Sequence, residues 1–441
     1  MTPTRTTSSR RRQALLASVS LAAIALTTAF AAPLAASAST VQQAPSGPGL
    51  IMCPPQISKV GAPISFQMLD NESGSGFTAS ITTGSLPDGL KLMPVPGLTP
   101  IITGTPTKVG SYPFHLHFAN NVGGVGDKTC VMDIVPATSI VERIDGEDRY
   151  EVAARVAQQI APATAPLVYV ASGENYSDAL SASAIAAQHN APLVLSTSTG
   201  LTNYVHNVVV GFEPTDIVMV GGPVSLQPSV EQELKGIASK VTRISGADRF
   251  AVSRNLISHP TFGAMPSTQL YVASGLKFPD ALSASPAAAK IKTPVLLVNG
   301  EATALNADEK ALLMSRGVTN ATVFGGEDTL SAAVAADIKT VTGTLSRIEG
   351  IDRFAVSANI TAANYTAPVD TIYFATGANY PDALAGGVLA GINNSPILLV
   401  RKNCVQPEVA DQVRRLAPKH IVLLGGPNSL DAALENLPLC A

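Results

Sequence analysis

The sequence predicts a multidomain protein in which a small all-β domain precedes three α/β repeats with parallel sheets. Three observations lead to this prediction. The 441 residues are 46% hydrophobic and 14% charged, which supplies apolar material for several cores and excludes a disordered, coiled-coil or nucleic-acid-seeking chain. Residues 51–136 are rich in turn residues and short alternating stretches. The remainder repeats itself at offsets of 100 and 104 residues.

Residues 1–38 are predicted to be a secretory signal peptide. Four arginines precede an apolar stretch, and a small-residue cleavage site follows at Ala36-Ser37-Ala38. The run Arg10-Arg11-Arg12 also permits a twin-arginine route, and an uncleaved membrane anchor is the alternative interpretation. Removal of this segment changes the net charge from −3 to −7, so the exported chain is acidic. No later segment is apolar for long enough to predict a transmembrane helix.

Residues 51–136 predict an immunoglobulin-like β-sandwich. Apolar and polar residues alternate in Ile64–Met68 and in Tyr112–Phe118, as expected of strands with one buried face. Turn signals stand at Leu86–Leu90 and Ile102–Pro106, and these two segments resemble an Ig-like domain of bacterial surface proteins.

Four motifs then recur in the same order in three copies, assigned to residues 140–241, 242–345 and 346–441. Each copy has R-I-x-G-x-D-R-[YF], then A-x-G-x-x-[YF]-x-D-A-L, then a proline-led apolar tetrad, and last an apolar strand that ends in Gly-Gly. The first motif begins at Arg143, Arg243 and Arg347. Four ordered motifs in three copies indicate a true internal repeat.

The local pattern within a copy is α/β. In the first copy, an apolar stripe with helical spacing follows Asp148, which suits an N-cap, and Glu151 completes a capping-box pattern. Short apolar runs at 167–171, 193–195 and 217–220 predict strands, with helices from Asp178 to about Gln188 and near 201–210. Uniformly apolar strands between helices predict a parallel sheet that is covered on both faces. The aspartates expected to cap helices or form ion pairs are Asp148, Asp248 and Asp352 in the first motif, and Asp178, Asp280 and Asp382 in the second.

This order of motifs resembles the cell wall-binding repeat 2 family over about 300 of the 441 residues. The resemblance implies a threefold-like assembly of Rossmann-like units that anchors an exported protein non-covalently to anionic polymers of a Gram-positive wall. The Ig-like module would then be displayed at the cell surface toward a partner that the sequence does not identify. The second copy departs from the others, because Leu276-Lys277-Phe278 replaces Glu174-Asn175-Tyr176 and Ala378-Asn379-Tyr380, so its surface is expected to differ.

Recurring arginines are the candidate ligands for an anionic polymer, since a guanidinium binds phosphate or carboxylate in a bidentate manner. The alternative is that each arginine pairs with a recurring aspartate and holds the repeats together. The two sets are Arg143, Arg243 and Arg347, and Arg149, Arg249 and Arg353.

The Gly-Gly turns are further candidates, because ligands of α/β sheets usually lie at the carboxyl ends of the strands. Gly221-Gly222 and Gly425-Gly426 are followed by proline, whereas the third pair is followed by two acidic residues. Asn175 and Asn379 are predicted at the same edge. The alternative is that the glycines only permit tight turns and close packing.

The four cysteines favour two disulfides in an exported protein, and chain position favours Cys53–Cys130 and Cys404–Cys440. Four free buried thiols are the alternative interpretation.

Enzyme motifs are weak, and no catalytic residue, cofactor or metal site is predicted. The histidines do not recur between copies, and His115-x-His117 is better explained as an exposed sheet face than as a metal site. Neither G-x-S-x-G nor G-x-G-x-x-G is present in the strand-to-helix turns. A wall-lytic, amidase-like enzyme and an exported small-ligand binding protein stay open as alternatives. Repetition favours binding, since multivalency rewards extra copies.

Overall fold

The computed structural model describes residues 53–54, 57–67, 77–94, 100–120, 124–135, 140–161 and 163–440. The predicted signal peptide, residues 1–38, lies outside this described part. Among the described helices, none combines the length and the apolar character that a membrane crossing requires.

The first seven strands of the described chain form two sheets around one small core. They are β1 (Ile57–Lys59), β2 (Ile64–Gln67), β3 (Phe77–Gly84), β4 (Leu90–Met93), β5 (Ile101–Gly104), β6 (Gly110–Asn120) and β7 (Val125–Val135). One sheet has the strand order β1-β7-β6-β3 and the other β2-β5-β4. Phe114, Leu116 and Phe118 alternate along β6 into the core, where Cys130 is disulfide-bonded to Cys53.

Each of the three following copies alternates strands and helices. The first comprises β8 (Ile140–Ile144), α1 (Arg149–Ile160), β9 (Leu167–Ser172), α2 (Tyr176–Gln188), β10 (Leu193–Ser196), α3 (Asn203–Gly211), β11 (Asp216–Val220) and α4 (Pro228–Lys235). The second comprises β12 (Lys240–Ile244), α5 (Arg249–Ser258), β13 (Gln269–Ser274), α6 (Pro279–Lys290), β14 (Val295–Val298), α7 (Ala307–Ser315), β15 (Asn320–Phe324) and α8 (Ala332–Thr342). The third comprises β16 (Thr344–Ile348), α9 (Arg353–Asn364), β17 (Thr371–Thr376), α10 (Pro381–Ile392), β18 (Ile397–Val400), α11 (Pro407–Leu416), β19 (His420–Leu424) and a 3-10 helix (Ala432–Asn436). The predicted alternation of helices and strands is confirmed.

The three sheets of the copies are parallel throughout, as predicted, and they exchange strands. Their strand orders are β10-β9-β11-β12, β14-β13-β15-β16 and β18-β17-β19-β8. The strand that opens each copy therefore completes the sheet of another copy. Since β8 opens the first copy and pairs with β19 of the third, the three copies form a closed ring.

The second helix of each copy, α2, α6 or α10, lies at the centre of this ring and is almost wholly buried. The helices approach closely because small residues face each other. A Cβ atom built on Gly391 of α10 would lie 2.8 Å from Cβ of Ala289 and 3.0 Å from Cβ of Ala187. Three copies thus share one continuous apolar core.

The second predicted disulfide, Cys404–Cys440, ties the end of the chain to the loop after β18. Val405 and Leu439 form a parallel bridge next to it, and Cys440 N–H donates to the Val405 carbonyl at 2.9 Å. This covalent link closes the last copy, in which a 3-10 helix stands where the first two copies have α4 and α8.

Candidate functional site

The first arginine set holds the Gly-Gly turns. Nη1 of Arg243 donates to the carbonyl oxygens of Gly221 and Leu226 at 3.0 and 2.9 Å, and its Nε lies 3.0 Å from the Glu231 carboxylate. The other copies repeat these bonds, from Arg347 to Gly325 and Leu330, and from Arg143 to Gly425 and Leu430. The side chain of Arg243 is only 16% exposed. The guanidinium groups of this set are therefore engaged in fixing the end of the neighbouring strand.

Buried aspartates support the same turns from the other side. Asp178, Asp280 and Asp382 are at most 7% exposed, and each carboxylate faces the first glycine of its Gly-Gly pair. The prediction that they cap their helices is wrong. Asn175 is the N-cap of α2, and α6 and α10 begin at Pro279 and Pro381, because proline is favoured at the first helical position. Each aspartate therefore lies inside the first turn.

Burial determines the protonation behaviour of these carboxyl groups. Loss of hydration raises the pKa of all three, and that of Asp280 to about 6. Attraction to an arginine of the next copy around the ring opposes this rise: Arg249 for Asp178, Arg353 for Asp280 and Arg149 for Asp382. The second arginine set therefore lies close enough to attract these carboxylates, and the direct Arg–Asp pairing of the alternative interpretation stays a prediction.

We expect Asp280 to make the protein less stable as it ionises. Because its folded pKa of about 6 exceeds the value of about 4 in the unfolded chain, its contribution is full below pH 4 and is lost as pH rises through 6. The loss amounts to about 3 kcal/mol. Asp280→Asn should therefore reduce the fall in unfolding free energy between about pH 4 and pH 7, measured by urea denaturation. Asn at the exposed Asp308 is the control, and equal slopes for both variants would contradict the expectation.

The second arginine set bridges consecutive copies. Nη1 of Arg249 donates to the Gly275 carbonyl of its own copy at 2.8 Å and to the Tyr176 hydroxyl of the preceding copy at 2.9 Å. Its guanidinium carbon lies 5.3 Å from the centroid of the Tyr176 ring, within range of a cation–π attraction. The glycine bond and the ring contact, without the bond to a hydroxyl, recur for Arg149 with Gly173 and Tyr380, and for Arg353 with Gly377 and Phe278.

The three aromatic rings that receive these arginines form one cluster at the N-terminal ends of the central helices. Tyr176, Phe278 and Tyr380 have ring centroids 5.4 to 5.8 Å apart in tilted or edge-on pairs, and each is half-buried. These rings are not among the predicted site residues. The only sign of them in the sequence is the recurring [YF] of the second motif.

The first-motif aspartates are N-caps, as predicted. Asp148, Asp248 and Asp352 accept from backbone N–H groups in the first turns of α1, α5 and α9. The predicted capping box at Glu151 is wrong in one respect. Its carboxylate accepts from the N–H of Glu147, one residue before the cap, at 2.9 Å, because Arg155 holds the other carboxylate oxygen.

The Gly-Gly turn of one copy faces the first motif of the next at three junctions, and we call the spaces there the junction clefts. The second glycine lies at this junction: a Cβ on Gly222 would lie 3.9 Å from the Gly246 carbonyl oxygen, and one on Gly426 would lie 3.6 Å from that of Gly146. The cleft between the third and first copies has a volume of about 160 Å³, and Arg149, Asn379 and Gly426 line it together with the carboxylates of Glu147, Asp148 and Asp382. The structure thus brings predicted site residues of two copies together.

The clefts differ at their mouths. Asn175 is exposed beside the first cleft, and its side chain makes no hydrogen bond to the start of α2. Asn379 Oδ1 accepts from the Tyr380 N–H at 2.9 Å. In the second copy, Lys277 takes the place of asparagine and donates to the Asp328 carbonyl.

Neither a metal centre nor a histidine site emerges from the described residues. Within them, no three potential ligands of the His, Cys, Asp or Glu type are grouped to hold a metal ion. His115 and His117 lie on the outer face of β6, and His117 pairs with Asp127 at 2.9 Å.

One protein family matches all three copies. The sequence model for cell wall binding domain 2 (CWB2) matches residues 143–231, 243–335 and 347–435, more than half of the chain. The chain belongs to the CWB2 family. All of the recurring arginines, aspartates and glycines described above lie within its three CWB2 repeats.

Two relatives from Bacillus subtilis (strain 168) share this region. The chain is 27% identical over 263 residues to N-acetylmuramoyl-L-alanine amidase LytC, covering 60% of the chain and 51% of LytC. It is 30% identical over 301 residues to Amidase enhancer, covering 68% of the chain and 40% of that protein. The chain thus spans about half or less of the length of these relatives.

Two solved structures share the fold. Cwp6 from Clostridium difficile has a TM-score of 0.62 at 17% identity, covering 88% of the chain and 68% of Cwp6. Cwp8 from Clostridium difficile has a TM-score of 0.61 at 20% identity, covering 82% of the chain and 62% of Cwp8. These structures support the ring of CWB2 repeats as a fold.

Proposed function

We propose that this protein is exported and is held non-covalently on anionic polymers of a Gram-positive cell wall by its three CWB2 repeats. Membership of the CWB2 family supports binding to the wall itself. The recurring arginine at the junctions supports the anionic character of the ligand.

The main observation behind this proposal is an arginine that recurs in all three copies and is fixed through one of its guanidinium nitrogens. Arg149, Arg249 and Arg353 each place one nitrogen on a glycine carbonyl, which fixes the guanidinium without neutralising its charge. Arg149 lines the junction cleft between the third and first copies, and the recurrence of its contacts supports the same placement for Arg249 and Arg353. A fixed guanidinium loses little conformational freedom when it takes a phosphate or carboxylate group.

Local clefts are needed because the whole protein repels an anion. The chain without its predicted signal has a net charge of −7, so bulk attraction to an anionic polymer is absent. Three clefts on one ring bind one polymer in a multivalent manner, which multiplies weak individual contacts. Lys277 and the acidic pair Glu327-Asp328 make the cleft between the second and third copies the divergent one.

We further propose that residues 51–136 form an Ig-like module that the wall anchor displays. Two sheets that enclose the Phe114 core, together with the Cys53–Cys130 disulfide, support this assignment. The two disulfides also support export, because such links persist in oxidising compartments.

We expect the triple variant Arg149→Ala, Arg249→Ala and Arg353→Ala to lose most of its binding to walls. The measurement is co-sedimentation of purified protein with isolated walls, before and after chemical removal of their anionic polymers. Wild type should pellet with intact walls and stay in solution with stripped walls. The variant should stay in solution in both cases, with an unchanged circular dichroism spectrum.

A charge-matched control is available at the opposite edge of the sheets. Lys240, Lys339 and Lys419 lie near the amino ends of strands, and their replacement by alanine removes the same three charges. This control should pellet like wild type. Failure of wild type to pellet with intact walls would refute the anchoring function. Unfolding of the arginine variant would show instead that the Arg–Asp attraction between copies is structurally essential.

The name of one relative, the amidase LytC, suggests a wall-lytic enzyme as the second candidate. Release of peptidoglycan fragments during the same incubation would support it, and walls that stay intact would exclude it. The anchoring function predicts intact walls.

A further inference from the structure

The junction between the third and first copies differs from the other two in its buried polar contacts. A tyrosine at the third position of the central strand recurs as Tyr169, Tyr271 and Tyr373. The Tyr169 hydroxyl donates to the Phe262 carbonyl of the second copy at 2.8 Å, and that of Tyr271 to Asn364 Oδ1 of the third copy at 2.6 Å. Tyr373 instead receives its bond from Asn393 of its own copy, at 2.8 Å.

The residues that fill the first two junctions are missing from the third. Gln188 and Lys290, at the ends of α2 and α6, reach into the loop of the next copy and bond to Met265 and Asn364. The equivalent residue on α10 is Ile392, which has no donor. At the same number of residues after the N-cap aspartate, the third copy has Asn364 and Tyr365, whereas the first copy has Ile160 and Ala161.

An open cavity of about 660 Å³ lies at this third junction, between residues of the first and third copies. Its volume lies in the range of ordinary small-molecule sites. It extends from the amino ends of β17 and β19 to Ile144 at the carboxyl end of β8, and it shares no lining residue with the junction cleft between the same two copies. Leu389 and Val422 supply an apolar floor, and the Tyr373 ring stands beside them.

The polar groups around this floor both accept and donate. Glu142 and Asp370 bring carboxylates, Thr371 and His420 bring a hydroxyl and an imidazole, and Asn393 brings an amide whose Nδ2 already donates to Tyr373. Asp370 pairs with Lys419 at 2.9 Å, and the Glu142 carboxylate lies 3.5 Å from Nδ1 of His420. Arg143 also lines the cavity, but its guanidinium is engaged with the carbonyl oxygens of Gly425 and Leu430. A ligand with several hydroxyl groups suits this mixed rim, and two carboxylates disfavour an acidic one.

We propose that this cavity binds a single neutral or amino sugar unit, separately from the anionic polymer. An apolar floor takes the C–H face of a pyranose ring, while the rim accepts hydrogen bonds from its hydroxyl groups. Gln159 on α1, across the junction, adds an amide with both a donor and an acceptor. The site exists only when the ring is closed, since the first and third copies both contribute to it.

The test uses the full chain and measures binding of glucosamine, N-acetylglucosamine and glucuronic acid by isothermal titration calorimetry. We expect a Kd of about 1 mM for the better of the first two, and binding at least about tenfold weaker for glucuronic acid. The double variant Glu142→Ala and Asn393→Ala should weaken the sugar at least about tenfold with an unchanged thermal midpoint. Both side chains are exposed, so the fold is expected to survive the change.

A blocking variant gives a second, independent measurement. Gln159→Trp places an indole at the cavity, and Gln158→Trp places one beside it on the same helix. Since the chain contains no other tryptophan, the emission of each indole reports its own surroundings. The first should show blue-shifted emission and no sugar binding, whereas the second should emit like an exposed indole and bind like wild type.

Three results would overturn the proposal: no wild-type binding of either sugar, equal binding of glucuronic acid, or undiminished binding in the double variant. Wall co-sedimentation of the double variant separates the two sites. It should pellet like wild type, because the junction clefts are untouched.

Discussion

Replacement of Gly325 by alanine is expected to destabilise the protein by at least about 3 kcal/mol. The residue has a φ of +92°, a conformation that side chains disfavour. A Cβ at this position would lie 2.2 Å from Oδ2 of the buried Asp280. The free energy of unfolding, measured by urea denaturation, gives the cost.

The neighbouring glycine is the matched control for this experiment. A Cβ on Gly326 would meet nothing closer than Oε2 of Glu349, at 3.9 Å, and Gly326 does not have a positive φ. Gly326→Ala should therefore change the stability by less than about 1 kcal/mol. Equal losses for the two variants would show that the contact with Asp280 does not determine the requirement for glycine.

Replacement of Gly391 by leucine is expected to cost about 3 kcal/mol or more and to affect all three repeats together. Its Cα lies where three central helices meet, and even a Cβ would be 2.8 Å from Cβ of Ala289 and 3.0 Å from that of Ala187. Since glycine is otherwise unfavourable within a helix, only this close approach explains its presence.

Leucine at Ala362 on α9 is the control, because that helical position is exposed. Calorimetry should show a lower midpoint for Gly391→Leu and an unchanged one for Ala362→Leu. The repeats are expected to unfold in a single transition in both proteins, since they share one core, whereas the N-terminal strands have a core of their own. A transition of the repeats that splits in two in Gly391→Leu would contradict the shared core.

The sequence predicted the α/β copies well because their local and global signals agree. Central strands such as Leu167–Ser172 are apolar throughout, as a parallel sheet covered on both faces requires. The strands that open the copies were not predicted, because they lack this apolar pattern. A strand such as Lys240–Ile244 lies at a sheet edge and carries exposed polar residues, so its pattern lacks the apolar run.

The candidate site was harder to predict because it is built between copies. Recurrence marked Arg149 and Arg143 equally, yet the first reaches across to Tyr380 and the second is bonded to the Gly425 turn. A motif shows that a side chain is required but does not show which copy it contacts. For the same reason, the sequence did not show why the first glycine of each Gly-Gly pair is needed. Its spatial neighbour is an aspartate about 45 residues away in the chain.

The pairing of β8 with β19 has a consequence for how many repeats such a protein contains. In an open solenoid, each end presents an unpaired surface, so copies are added in series and the terminal ones need caps. Here the strand that opens the first copy occupies the place that a fourth copy would use. The closed ring therefore fixes the number of copies. The gain or loss of one copy would require a new angle between neighbouring copies at every junction. We expect descendants of this architecture to diversify by exchanging the module attached to the ring, while the ring itself keeps three members.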